Sequence, residues 1–260
     1  MALSPVTAWQ TPYVSGLTLT YTSTSVVTVA LGSCVDSTAT NVITLSEPKT
    51  ITKTVLGAGG LDVGTIAAST KYYIYAIGSS FSYGPGLNDL DPTLVNPAPG
   101  TVLISTSLTP SLPLNYDMYR YIGAVYTDGS SNFLKFVQSG LGNDRTMWYD
   151  VAIATSVTAG TSTTYANIDL SGSVPKAALE VFALTSLTPN SSASVTNLVP
   201  YGSTATVGYA LVKGQVAAVV ATETLRLPSA SNAGAPYILY KTTSGSDAVA
   251  VSISGYVDQL

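Results

Sequence analysis

The chain contains no histidine among its 260 residues, which removes the commonest general base and the commonest metal ligand together. Ser-His-Asp and Cys-His catalytic arrangements and zinc sites are therefore excluded on stoichiometry. Cysteine occurs once, at Cys34, so no internal disulfide can form. With no histidine to activate it, this thiol reads as a small buried hydrophobe. Charge is scarce as well: Asp, Glu, Lys and Arg make up 9% of the chain, against about 25% in an ordinary soluble domain. Ten basic residues scattered singly in a chain of net charge -4 leave no stripe for phosphates, so no nucleic-acid partner is expected. The purely apolar run "VAAVVA" at 216–221 is far too short to span a bilayer, and no membrane span is expected. The opening "MALSPVTAWQTPYV" has neither a basic n-region nor a continuous apolar h-region, so no secretory signal is read and folding in the cytoplasm is expected.

What is abundant is Ser, Thr, Gly, Ala and Val. Solubility must then rest on hydroxyls and amides. Such a surface suits an assembly component, because buried hydroxyl and backbone groups can pair between copies whereas buried charges are costly. The competing reading is that low charge simply accompanies Thr-rich strands.

Strand signals run from end to end. "LTLTYTSTSVVTVAL" at 17–31 alternates apolar and hydroxyl residues. "TKYYIYAIG" at 70–78 is apolar on both parities, so both of its faces should be covered. "TDGSSNF" at 127–133 holds the best turn chemistry in the chain, with Asp128-Gly129 tolerating positive φ. It is expected to pin the register of 119–126 against 133–138. "KAALEVFA" at 176–183 is read as a turn entering a strand, because Leu179, Val181 and Ala183 alternate. The segment 79–100, with four prolines and three glycines, is read as a long loop available for contact. These signals predict an all-β chain, an antiparallel, jelly-roll-like β-sandwich. Two β-domains are expected, at 41–158 and 159–260, behind an N-terminal arm at 1–40.

Candidate sites are few. Asp89 and Asp91 stand two apart, a spacing that suits calcium ligation or a glycosidase pair, but the rest of an EF-hand is missing and Asx-turns in a loop rich in proline and glycine are the favoured reading. "GNDRTMWYD" at 142–150 brings Asp144, Arg145 and Trp148 together, either to hold a sugar or as a turn closed by an Asp-Arg pair. Asp128 and Asn132 mark a hairpin tip available for contact. Seventeen tyrosines, clustered at 72, 73, 75 and at 116, 119, 121, 126, offer a sugar-stacking platform or sheet packing, and their position on strands favours packing. "GAGGLDVG" at 57–64 fits neither a dinucleotide nor a Walker pattern and is a turn. No cofactor and no catalytic residue is expected.

The run "GAGGLDVGTIAASTKYYIYAIG", followed by "VLISTSLTPSLPLNYDMYRYIGAVYTDGSSNFLKFVQSG", resembles a module of tailed-bacteriophage virion proteins of the tail-fibre, head-fibre or decoration type. The resemblance covers roughly residues 41 to 150. "DLSGSVP" at 169–175 onward, ending in "SISGYVD", is similar to the β-sandwich that follows that module. It implies a β-sandwich without enzymatic activity, residence in the virion and self-association, with a trimer favoured. Other virion proteins, and in the alternative a host-surface glycan, are the implied partners. No β-helical or coiled-coil shaft accompanies it, which puts a complete tail spike in doubt.

Overall fold

The computed structural model describes residues 13–80, 99–153, 155–203, 210–232 and 235–260. It is built of antiparallel strands, with no helix among the described residues. The strands are β1 (Val14–Gly16), β2 (Leu19–Ser23), β3 (Val26–Val29), β4 (Gly32–Val35), β5 (Val42–Leu45), β6 (Lys49–Thr52) and β7 (Lys71–Gly78). There follow β8 (Thr101–Ser105), β9 (Met118–Tyr126), β10 (Phe136–Ser139), β11 (Asp144–Tyr149), β12 (Thr155–Gly160), β13 (Ala166–Asp169) and β14 (Ala178–Thr188). The last are β15 (Val195–Pro200), β16 (Ala210–Lys213), β17 (Ala221–Pro228), β18 (Ala230–Asn232), β19 (Ala235–Thr242) and β20 (Ala248–Gln259).

Three small sheets are ordered β1-β4-β5, β2-β3-β6 and β8-β7-β9. A six-stranded sheet, β10-β11-β20-β14-β17 with β12 also on β20, lies against a five-stranded sheet, β13-β19-β15-β16 with β18 on β19. The sandwich expected from alternation is thus present. The main apolar core runs from Val14 to Leu260 through all five sheets. Tyr149 and Tyr256, on the inner face of the six-stranded sheet, both donate their hydroxyls to Ala124 O of β9, at 3.2 and 3.1 Å. The boundary expected near Ala159 falls inside β12, and the six-stranded sheet takes strands from both sides of it.

β7 is covered on both faces as its sequence requires: Tyr72, Ile74 and Ala76 enter the main core, while Tyr73, Tyr75 and Ile77 join a second cluster with Leu103 and Ala124. "KAALEVFA" is a turn leading into β14. The hairpin at 127–133 differs from expectation. Its loop closes through a Thr127–Phe133 bridge and a Leu134 N–H bond to Tyr126 O, but the ladder stops there and β10 pairs with β11 instead. The cause is competition: Phe133 N–H bonds to Thr24 O, and Lys53 Nζ donates to Ser131 O and Asn132 Oδ1, so the returning strand is drawn away from β9.

β20 changes parity midway. Val249, Val251 and Ile253 face inward, then an irregularity in its register with β14 at Ser254 leaves Tyr256 and Asp258 inward and Gly255 and Val257 outward. That one-residue insertion decides which side chains the rest of the strand presents to the core.

Candidate functional site

Two concave surfaces collect the residues that carry chemistry. The first lies on the outer face of the six-stranded sheet. Strand register places Trp148, Gly255, Phe182 and Arg226 in one row across β11, β20, β14 and β17. A Cβ at Gly255 would meet Met147 O at 2.2 Å and the Phe182 ring at 3.1 Å, so only glycine fits. Trp148 stacks on Phe182 with centroids 3.9 Å apart and planes 21° from parallel, leaving Phe182 6% exposed and Trp148 40% exposed. The Arg226 guanidinium lies 5.9 Å from the Phe182 ring and donates from Nε to Glu180 Oε2 at 2.6 Å. Below this row an open groove of about 640 Å³ is lined by Leu141, Asp144, Thr146, Glu180, Arg226 and Pro228.

Of the residues singled out in 142–150, Asp144 and Trp148 share this outer face and Arg145 does not. Alternation sends Arg145 inward, where it is 1% exposed. Its guanidinium donates to Gly142 O at 2.8 Å, Gly16 O at 2.7 Å and Gln138 Oε1 at 3.4 Å. The Asp-Arg closing pair is therefore replaced by carbonyl anchoring, which ties β1 and β10 to β11.

The second concavity, about 380 Å³, lies where the outer face of the β8-β7-β9 sheet meets the turn before β14. Tyr73, Tyr75, Tyr119, Tyr121, Lys176 and Leu260 line it. The tyrosines contact one another edge to face, Tyr73–Tyr121 at 5.8 Å and Tyr75–Tyr119 at 5.7 Å between centroids. Tyr75 donates its hydroxyl to Ser107 O at 2.7 Å. Behind Tyr121 sits Asp258, 1% exposed, whose Oδ2 accepts the Tyr121 hydroxyl and whose Oδ1 has no hydrogen-bond partner. Burial pushes this carboxyl up to about 6, against the pull of the Tyr121 and Gln259 hydrogen bonds, and burial raises Tyr121 well above the ordinary phenol range. Tyrosines clustered in sequence are thus divided between faces: Tyr72 and Tyr126 enter the main core, Tyr73 and Tyr75 belong to the second cluster with Tyr116 and Tyr119 packed on it, and Tyr121 touches both.

The remaining groups are held in local structure. Asp128 accepts from the Ser130 and Asn132 N–H groups at 2.8 and 2.9 Å; these bonds, from Asn132 first, hold its carboxyl below the usual range. Asn132 completes the loop through its amide to Asp128 and its oxygen to Lys53. Asp36 is buried, which works to raise its pKa, but hydrogen bonds from Thr40, Asn41 and Thr38 outweigh that and lower it. Cys34 is fully buried, and burial pushes its thiol up to about 12 despite Arg120 nearby. Asp89, Asp91 and most of the loop 79–100 lie outside the described residues. Among the described residues no three His, Cys, Asp or Glu side chains gather to hold a metal, and no helix is long and apolar enough to cross a membrane.

Phe182, Glu180 and Arg226 were not foreseen. They lie far from Trp148 in the chain, and only the register of β20 between β11 and β14 joins them. A glycine inside the alternating run "VAVSISGYV" was the available sign of a close approach.

No family model matches the sequence, and no curated protein matches it. Among solved structures, the chain is similar to one described as the structure of infectious bursal disease virus Gx strain, at 12% identity and a TM-score of 0.22, with 95% of this chain and 67% of that chain covered. A score that low carries no argument about function, which rests on the residues themselves.

Proposed function

We propose that this chain is a non-enzymatic structural component of a bacteriophage particle, exposed on head or tail as a fibre, decoration or accessory protein. It would be made in the host cytoplasm and carried in the virion. It would assemble with copies of itself, a trimer being favoured, and with other virion proteins.

The observation that carries this reading is the outer edge of β17. This eight-residue strand pairs with β14 in unbroken register, and its other edge has no strand partner among the described residues. Thr222, Glu223 and Thr224 are exposed on both parities. The turn leading into it presents Val216, Val219 and Val220, each more than half exposed. A long edge flanked by apolar side chains and carrying few charges is a template for another strand, and symmetric pairing with a sister copy covers it without aggregation. The carboxylates support the non-enzymatic part of the reading: Asp36, Asp128 and Asp247 each accept N–H groups of their own or adjoining loops and are held there as structural acceptors.

Sedimentation equilibrium on the full chain tests the proposal. Association at micromolar concentration is expected, weakened by Val219→Asp with Val220→Asp. A monomer that persists at high concentration sinks it.

A further inference from the structure

The Trp148 row is a surface built for a ligand, and this inference does not depend on whether the chain self-associates. Three features set it apart from ordinary packing. The indole is stacked on Phe182 next to a position where only glycine fits, so its orientation is set before anything binds. Trp148 is 40% exposed, in a protein whose other described aromatic clusters are largely turned inward. Beside it the groove carries a short series of polar groups at sheet spacing: Thr146 on β11, Glu180 on β14 and Arg226 on β17, with Asp144 at its end. An apolar plate next to convergent donors and acceptors is the complement of a pyranose ring, which is apolar on its C–H faces and rimmed by hydroxyls.

Charge narrows the ligand further. The groove holds two carboxylates, Asp144 and Glu180, and one guanidinium, that of Arg226, already bonded to Glu180. An acidic sugar would bring its carboxylate toward Asp144 with no uncommitted cation lining the groove to receive it. Hydroxyl groups, by contrast, can donate to Asp144 and Glu180 and accept from Arg226. We infer that the outer face of the six-stranded sheet binds a neutral glycan, one ring stacked on Trp148 and the next lying in the groove beside Glu180 and Arg226.

The test is titration of the full chain with cellohexaose, maltohexaose and penta-N-acetylchitopentaose, with polygalacturonate as the acidic arm, read by calorimetry. At least one neutral oligosaccharide is expected to bind, with affinity falling at least tenfold in Trp148→Ala and retained in Trp148→Phe. Glu180→Gln, which leaves the stack intact, is expected to weaken binding severalfold. Circular dichroism and sedimentation of each variant should match the parent, so that a lost ligand is not confused with a lost fold or a lost oligomer. Absence of binding by all three neutral probes at millimolar concentration overturns the inference, as does neutral binding that survives Trp148→Ala. Trp148-dependent binding of polygalacturonate alone overturns the assignment of a neutral ligand.

Discussion

Replacing Asp258 by asparagine should make the protein more stable at neutral pH, although it removes a buried carboxylate that accepts a hydrogen bond. Asp258 is buried on β20, its Oδ2 bonded to the Tyr121 hydroxyl and its Oδ1 without a partner. Five phenols act on it: Tyr121 and Tyr126 from β9, Tyr73 from β7, Tyr149 from β11 and Tyr256 on its own strand. Its register partner Arg145 is directed to the carbonyls of Gly16 and Gly142. Its pKa in the folded chain is therefore raised by burial, from 3.8 to about 6. The folded state holds this proton more tightly than the unfolded one, so the stability contribution is complete below about pH 4 and is lost as pH rises through about 6. At roughly 1.4 kcal/mol per tenfold change in proton affinity, the loss above pH 6 amounts to about 3 kcal/mol. Asparagine keeps an acceptor for Tyr121 and carries no charge at any pH. Urea melts of the parent between pH 4 and 8 should show stability falling across that window, while Asp258→Asn stays level and exceeds the parent by about 3 kcal/mol at pH 7.5. The carboxylates whose pKa is depressed, Asp36, Glu47, Asp128 and Asp247, act in the opposite direction, their contribution lost only as pH falls below the ordinary carboxylate range, at the acid end of the window. A parent that gains stability from pH 4.5 to 7, or a variant weaker than the parent at pH 7.5, refutes the account.

Two other outcomes follow from the same geometry. Gly255→Ala would drive a methyl group against Met147 O, and differential scanning calorimetry should show a loss of about 2 to 3 kcal/mol. Cys34, buried with its thiol pushed up to about 12, should resist iodoacetamide at pH 8 in the folded chain and react fully in guanidinium chloride; rapid alkylation of the native protein would contradict its placement.

The periodicity of the sequence carries the all-β architecture, the two-sided burial of β7 and the Asp128 turn, because each depends on residues close together in the chain. What it could not carry is pairing between distant strands. The β9 to β10 ladder looked secure from the turn alone, yet Thr24 and Lys53, remote in sequence, redirect the chain at Phe133. Asp258 illustrates a subtler limit. Continuing the parity of Val249, Val251 and Ile253 would turn it outward, and only the irregularity at Ser254 turns it in. In the candidate site, Trp148 and Asp144 were legible as a pair on one strand face, and simple alternation would have separated Arg145 from them. Phe182, Glu180 and Arg226 enter through register, which no short window contains.

The position of β20 has a bearing on biosynthesis. It lies at the centre of the six-stranded sheet yet comes later in the chain than every strand it joins. Until the ribosome has passed residue 259, the ribbons β10–β11 and β14–β17 have no complete strand to bridge them, and their apolar inner faces stand open on the nascent polypeptide. Closure then requires contacts across more than a hundred residues, a slow step by topology alone. Yield of folded protein should accordingly depend on how well the emerging chain is shielded during translation, and slower synthesis at low temperature should favour it.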